Sequence, residues 1–213
     1  MNRITRFVGE NGFYILFAHL IDTAFAIPRN YLISRKLGIR RVKIGPRAYL
    51  RGLSAVSIGE DFAAEQGLWL EAIHRYNDQR FTPRIVIGEH VRISHFVHIA
   101  ATHFVEIGDN VLMGSKVIIT DHNHGLYSRR DSSPMIPPVL RPLDDDQKVF
   151  IGRNVWLGDG VVVTPGSSIG EGAVIGANSV VLGSIPPFTI AAGAPAIVRK
   201  TFDFETSKWS NVE

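Results

Sequence analysis

The stretch VFIGRNVWLGDGVVVTPGSSIGEGAVIGANSVVLGSI, from Val149 to Ile185, returns a large aliphatic residue at every sixth position: Ile151, Leu157, Val163, Ile169, Ile175 and Val181. Four positions after each anchor stand Val155, Val161, Ser167, Ala173, Ser179 and Ile185, all small or aliphatic, and Gly152, Gly158, Gly170 and Gly176 directly follow four of the anchors. Helices repeat about every 3.6 residues and flat strands every 2, so neither produces this spacing. A hexad holds one short strand and one turn with its anchor pointing inward. Three hexads close a triangular coil, and coils stack into a parallel β-helix.

Outward from that stretch the repeat continues less cleanly. Upstream it runs through Ile87-Gly88, Ile93 and Ile99, slips by two residues between Thr102 and Glu106, and restarts at Ile107-Gly108, Met113-Gly114 and Ile119. The slip predicts a bulged corner. Before Arg84 the pattern is irregular: Ile44-Gly45 and Leu50 share one phase, while Ile58-Gly59, Ala64 and Leu70 share another. The polar, turn-rich run from Tyr76 to Pro83 reads as an excursion that leaves the solenoid and returns. Together these segments predict an all-β solenoid of about six coils, enough to support itself. Its interior is filled by aliphatic ladders, so chemistry has to use outer faces, inserted loops or grooves between neighbouring solenoids.

The two ends differ from the solenoid. Phe13, Ile15, Leu16, Phe17, Leu20, Ile21, Phe25 and Ile27 form a dense apolar segment without the six-residue period. It reads as a helix interrupted by His19 and Asp22 and limited by Pro28, too short to span a bilayer. Arg29, Arg35, Lys36, Arg40 and Arg41 follow it. This pattern leaves two uses open: packing against the solenoid or a partner subunit, or lying on a membrane surface. Pro186-Pro187 ends the repeat, and Phe202 and Trp209 suggest a cap over the open end of the core. The expected division is a helical segment over 1–38, a solenoid domain over 39–201 with an inserted loop at 125–148, and a cap and tail over 202–213.

Composition narrows function. The net charge is +3 and no basic run interleaves with aromatics, which gives no support for nucleic-acid binding. The 213 residues include no cysteine, which excludes disulfides, zinc-thiolate sites and a covalent thioester on the enzyme. The absence of cysteine fits the cytoplasm, and the interfacial reading of the helix adds contact with the inner face of the membrane.

After Ile119 comes TDHNHG, Thr120 to Gly125, and then a segment to Lys148 without hexad anchors, carrying Arg129, Arg130, Pro134, Pro137, Pro138, Arg141 and Pro142. A loop of that length leaving a compact solenoid is more often functional than not. Histidine suits proton transfer near neutral pH, so His124 and His122 are candidate general bases; the alternative is that both merely bond to backbone.

The hexads, TDHNHG, SSPMIPPVLRPL and IPPFTIAAGAPA together resemble the left-handed β-helix acyltransferases, with lipopolysaccharide O-acetyltransferases as the nearest branch. The resemblance covers Ile39 to Thr201. It implies a homotrimer, acetyl-CoA in the groove between subunits, a saccharide acceptor, no metal, and one histidine acting directly on the acceptor hydroxyl. Register from Ile107, as in galactoside and maltose acetyltransferases, assigns that role to His124 with His122 as fallback. Trp156 matches a position beside the acceptor and thioester. For coenzyme A the resemblance points to Gly114, Asp159, Ala177, Leu182 and Ala192. Relatives often carry Ser, Thr and a cap arginine where this chain has Asp159, Leu182 and Ile197, so Arg199 and Lys200 are the substitutes expected to meet the phosphates. The insertion from Gly125 to Lys148 is expected to wall the acceptor side, with Arg129, Arg130 and Arg141 available to anionic groups. Two competing readings remain. One is a γ-class carbonic-anhydrase-like metal site drawn from His95, His98, His103, His122 and His124. The other is a non-catalytic binding solenoid.

Overall fold

The structure is a computed structural model and describes residues 3–127, 132–144 and 146–212. Three sheets form the walls of a prism. One has nine strands, and the other two have six each. Successive anchors fall on successive walls: Ile151 pairs with Ile169 in one sheet, Leu157 with Ile175 in another, and Val163 with Val181 in the third. Each hexad therefore advances the chain by one wall, and three hexads complete a coil. The same ladders reach back through the irregular half. Ile58, Ile87, Ile107 and Ile151 pair in sequence, as do Leu50, Leu70, Ile99, Ile119 and Val163.

All six anchors and all six second-position residues of the Val149–Ile185 stretch are buried. A fully buried Val, Leu or Ile contributes roughly 1.5–3 kcal/mol relative to exposure, so the ladders are the main favourable term. Ser167 and Ser179 belong to the same interior and are satisfied there. Ser167 Oγ donates to the Val181 carbonyl at 3.0 Å, and Ser179 Oγ accepts the Gly193 N–H at 3.0 Å.

Two corners of the prism are turned alike in coil after coil. At one, Arg47, Gly67, Phe96, Lys116, Gly160 and Asn178 take positive φ; at the other, Asp61, His90, Asn110, Asn154, Gly172 and Phe188 do so. From the second coil on, each such residue gives its N–H to a carbonyl of the coil before. Examples are Gly160 to Ser115 at 2.8 Å and Asn154 to Asp109 at 2.8 Å. The left-handed conformation costs an L-residue about 1–2 kcal/mol, and the bond down the stack offsets it.

The third corner lies between the sheet that carries His98, hereafter the histidine sheet, and the sheet that carries Ile107. Here the chain departs from the hexad in consecutive coils. A short 3-10 turn at Leu53–Ala55 comes first, and an antiparallel hairpin of Arg75–Tyr76 with Gln79–Arg80 comes second. The two-residue slip at Thr102 and His103 follows, and then the insertion after Thr120. The excursion expected from Tyr76 to Pro83 is this hairpin.

The ends depart from expectation in two ways. The helix α1 runs Arg3–Leu37, straight past Pro28. Its later turns are held against the first strand: Arg29 donates to the carbonyls of Ile44 and Gly45, Asn30 donates to Ile44, and Ile33 is buried. These tethers offset the backbone bond that Pro28 lacks. The helical geometry is interrupted instead at Gly12, with φ 79° and ψ 163°. No helix among the described residues is long and apolar enough to cross a membrane. At the other end, Ile197–Asp203 and Lys208–Asn211 form an antiparallel hairpin that extends the nine-stranded sheet beyond Thr189–Ala192. Phe202 and Trp209 pack on each other at 5.2 Å, outside the prism, so they lengthen a wall and do not plug the core.

Candidate active site

The irregular corner gathers groups that hexad turns elsewhere leave apart. The slip puts extra residues into the turn, so the N–H groups of Thr102, His103 and Phe104 cannot all find ladder partners. The fully buried Asp121 carboxylate collects them. Its Oδ1 accepts Thr102 N–H at 2.9 Å and the Thr102 hydroxyl at 3.2 Å; its Oδ2 accepts His103 N–H and Phe104 N–H, each at 2.8 Å. Leaving such donors buried and unpaired costs about 1–3 kcal/mol each, which accounts for an acidic residue at the foot of the insertion.

Asp121 has one further partner, the neighbouring His122, whose Nδ1 lies 2.9 Å from Oδ1. An ionised carboxylate only accepts, so Nδ1 carries the hydrogen and Nε2 is left with its lone pair. The His122 side chain is 11% exposed. Thr120 closes the turn by donating its hydroxyl to the His122 carbonyl at 3.2 Å.

His124 is in a different setting. It is exposed, forms an antiparallel bridge to Leu143, and has its Nδ1 3.2 Å from the Tyr76 hydroxyl, with the two rings edge-to-face at 5.2 Å. The bridge brings the two ends of the insertion together. The hairpin then grips it: Gln79 accepts the Leu143 N–H at 2.7 Å and donates to the Leu143 carbonyl at 3.1 Å, while Tyr76 and Asn77 both donate to the Val139 carbonyl, at 2.7 and 3.0 Å. Of the arginines expected on the insertion, Arg141 donates to the Ile136 carbonyl at 2.9 Å, and Arg129 and Arg130 lie outside the described residues.

Farther along the histidine sheet, His98 stacks on Trp69 with centroids 4.6 Å apart. Burial holds its pKa below the ordinary 6.5, opposed by the charge of Glu71 and reinforced by His122. Glu71 is buried and accepts from Arg51 at 3.1 Å and from the Trp69 indole at 2.9 Å. His98, His122 and His124 thus meet separate partners, and no cluster of three or more His, Cys, Asp or Glu placed to hold a metal occurs among the described residues.

Some of the residues expected to face a cofactor collect on another wall. Gly114, Trp156, Asp159 and Ala177 line one cleft of about 260 Å³ with Gly158, Val174, Ile175 and Gly176. Trp156 is half exposed, in an outward row with Leu112 and Val174. Asp159 is already engaged, its Oδ1 accepting the Ser115 N–H of the coil below at 2.5 Å. Gly114 is fixed by the same turn: a Cβ there would stand 2.4 Å from that Oδ1 and 2.6 Å from the Asp159 nitrogen. Ala192 borders the cleft through Gly176, whose added Cβ would meet the Ala192 Cβ at 3.0 Å. Leu182 is exposed, just beyond the Val180–Val181 strand of the histidine sheet, and Arg199 and Lys200 lie on the cap hairpin. Seven expected residues therefore divide among the cleft, the histidine sheet and the cap. Sequence reasoning missed Asp121 and Tyr76. The first had a signal, an acid directly before the histidine and one coil beyond the slip; the second had none, since Tyr76 meets His124 only through folding.

The chain is similar over 163 residues, at 45% identity, to WbbJ of Escherichia coli K12, a protein named for lipopolysaccharide biosynthesis O-acetyl transfer. That similarity covers 76% of this chain and 79% of WbbJ. The chain belongs to the hexapeptide-repeat acyltransferases. The bacterial transferase hexapeptide (six repeats) family matches residues 148–183, nearly the same stretch as the one that revealed the period. Galactoside O-acetyltransferase of the same organism is 34% identical over 122 residues, 56% of this chain and 55% of that protein. Among solved structures, AntD, an N-acyltransferase from Bacillus cereus in complex with dTDP and 3-hydroxybutyryl-CoA, superposes with a TM-score of 0.64 at 21% identity, covering 79% of this chain and 84% of AntD. The hexapeptide-repeat acetyltransferase VCA0836 of Vibrio cholerae, complexed with acetyl coenzyme A, gives 0.55 at 23% identity over 83% of this chain and 78% of that one. These likenesses identify the solenoid as a left-handed parallel β-helix and the protein as an acyltransferase.

Proposed function

We propose that the protein transfers the acetyl group of acetyl-CoA to a sugar hydroxyl of a cell-surface polysaccharide or its precursor, with His122 as general base. The observation that carries this reading is the Asp121–His122 pair. His122 Nε2 removes the acceptor proton, and the sugar oxygen attacks the thioester carbonyl. The tetrahedral intermediate collapses with loss of the coenzyme A thiolate, which takes from His122 the proton that left the sugar hydroxyl. A buried carboxylate at Nδ1 stabilises the imidazolium that forms midway, which a phenol oxygen does less well. That difference favours His122 over His124, reversing the order taken from register with Ile107. His124 becomes an acceptor-side residue.

The donor, in this reading, occupies the cleft of Gly114, Trp156, Asp159 and Ala177, which is lined largely by small residues together with the half-exposed Trp156. In this reading Asp159 shapes the turn and does not bond coenzyme A, and Leu182, Ala192, Arg199 and Lys200 are the remaining candidates along the path. His122 follows a strand of the histidine sheet, whereas Trp156 belongs to the nine-stranded sheet. If both serve one reaction, a second copy brings the cleft of one subunit to the histidine of its neighbour, which supports a homotrimer with sites at the subunit boundaries. The relatives' names support the saccharide acceptor, and the basic residues beside α1 support action at the inner face of the membrane.

The test is release of coenzyme A thiol from acetyl-CoA in the presence of a panel of methyl hexopyranosides, with mass spectrometry of the products. The chain contains no cysteine and gives no thiol background. Glycoside-dependent thiol release with one added acetyl group supports the reading; release without sugar acetylation contradicts it.

A further inference from the structure

The two excursions at the irregular corner come from different coils, yet they meet at His124. The Tyr76 hydroxyl has one hydrogen and two neighbours, and its partner at 2.7 Å is the Val139 carbonyl, which can only accept. Its hydrogen is committed there. The contact with His124 Nδ1 at 3.2 Å then requires the imidazole to donate and the phenol oxygen to accept. Neutral His124 accordingly carries its hydrogen on Nδ1 and has a lone pair on Nε2.

The placement is over-determined. Asn77 supplies a second donor to Val139, Gln79 locks Leu143 through both of its backbone groups, and Leu143 bridges His124. Tyr127, at the start of the insertion, donates its hydroxyl to the His124 carbonyl at 3.1 Å. The hairpin thus fixes where His124 stands and which nitrogen it offers.

From this we infer that Tyr76 is a positioning residue for acceptor recognition: it holds His124 in the Nδ1-protonated tautomer so that Nε2 accepts a hydrogen bond from a second hydroxyl of the sugar, next to the one acylated. The inference rests on the acceptor reading above. It narrows the substrate class to sugars with a hydroxyl donor flanking the acetylated position. Two residues apart, His122 and His124 divide the work, the first taking a proton and the second reading the neighbouring group. A site that hydrogen-bonds a hydroxyl discriminates strongly against analogues that lack it, because the partner is left unpaired.

The test uses the full-length protein and Tyr76→Phe, which keeps the ring edge on His124 and removes only the hydroxyl. Nitrogen NMR of the protein labelled at histidine reports the tautomer without any acceptor. Wild-type His124 should show the Nδ1–H form, and Tyr76→Phe a mixture. In kinetics on a methyl hexopyranoside that the wild type acetylates, Tyr76→Phe should raise the acceptor KM about tenfold and leave the acetyl-CoA KM unchanged. The monodeoxy analogue lacking the flanking hydroxyl should lose a similar factor with wild-type enzyme and little more with Tyr76→Phe. An Nε2–H tautomer in the wild type, or an acceptor KM unmoved by Tyr76→Phe, overturns the inference. Should the wild type acetylate no methyl hexopyranoside, the acceptor reading and the second-hydroxyl contact fail together, while the nitrogen shifts still decide the role of Tyr76 in fixing the tautomer.

Discussion

Two corners of this prism and the third are made from the same chain by opposite rules. At the regular corners a residue with positive φ recurs in every coil and hands its N–H to the coil before, so position along the stack hardly matters. At the third corner no two consecutive coils from Leu53 to Lys148 turn alike. There a buried carboxylate, a hairpin and a long insertion replace the repeated bond. The ladder supplies stability from apolar burial and backbone pairing without reactive side chains, which leaves one corner free to carry chemistry. The regular corner of Asn110, Asn154 and Gly172, away from the cleft proposed for the donor, should therefore respond to substitution in stability alone, and the irregular corner in activity.

Asp121→Ala should break that separation, because Asp121 belongs to both sides. It leaves three backbone N–H groups without their partner at about 1–3 kcal/mol each and removes the support of His122. Denaturant unfolding should show a loss of several kcal/mol, and turnover should fall at least as far as in a histidine variant. A stable, active Asp121→Ala would dissolve the distinction between the corners. Leu157→Ala, inside the ladder, should cost about 2–5 kcal/mol with kcat per folded molecule unchanged. A fall in kcat without a fall in stability would mean the ladder does more than hold the walls.

The ladder was legible because its cause is local: one residue type at one spacing, repeated, gives Ile151, Leu157 and Val163 their walls without knowledge of any partner. The candidate site was legible only where it disturbs that spacing. The slip at Thr102 and the missing anchors after Thr120 marked the corner, and TDHNHG put two histidines in it. In the proposed reading the choice between those histidines turns on which ring meets Asp121 and which meets Tyr76, contacts that register with Ile107 does not supply. Nor could sequence show that the Arg75–Arg80 hairpin would reach over a whole coil to the insertion. Pro28 misled for a related reason: the tethers from Arg29 and Asn30 to Ile44 are tertiary contacts, invisible to helix propensity.

Smaller effects sharpen the same contrast. Asn154 takes φ 59° at a regular corner. Asn154→Val puts a β-branched residue there and should lose about 1–2 kcal/mol by thermal or denaturant unfolding, with kinetic constants unchanged. A neutral result would show that the stacked turns tolerate the strain. The least effect concerns His98. Burial lowers its pKa in the folded protein, so the unfolded chain binds the extra proton first as pH falls through the ordinary 6.5. Stability should decline across that range and continue to decline until the folded value is passed. His98→Phe retains a ring against Trp69 and should flatten this part of the curve, measured as Tm between about pH 7.5 and 5.5. An equally steep curve in the variant would assign the acid sensitivity to other groups.

The division of labour between the two histidines is tested most directly by comparing His122→Ala and His124→Ala in single-turnover acetyl transfer to one methyl hexopyranoside. His122→Ala should reduce the rate of the chemical step by about 10²–10⁴ with unchanged acetyl-CoA affinity, and His124→Ala should chiefly raise the acceptor KM about tenfold. The reverse pattern, with the large loss in His124→Ala and near-normal turnover in His122→Ala, would contradict the account.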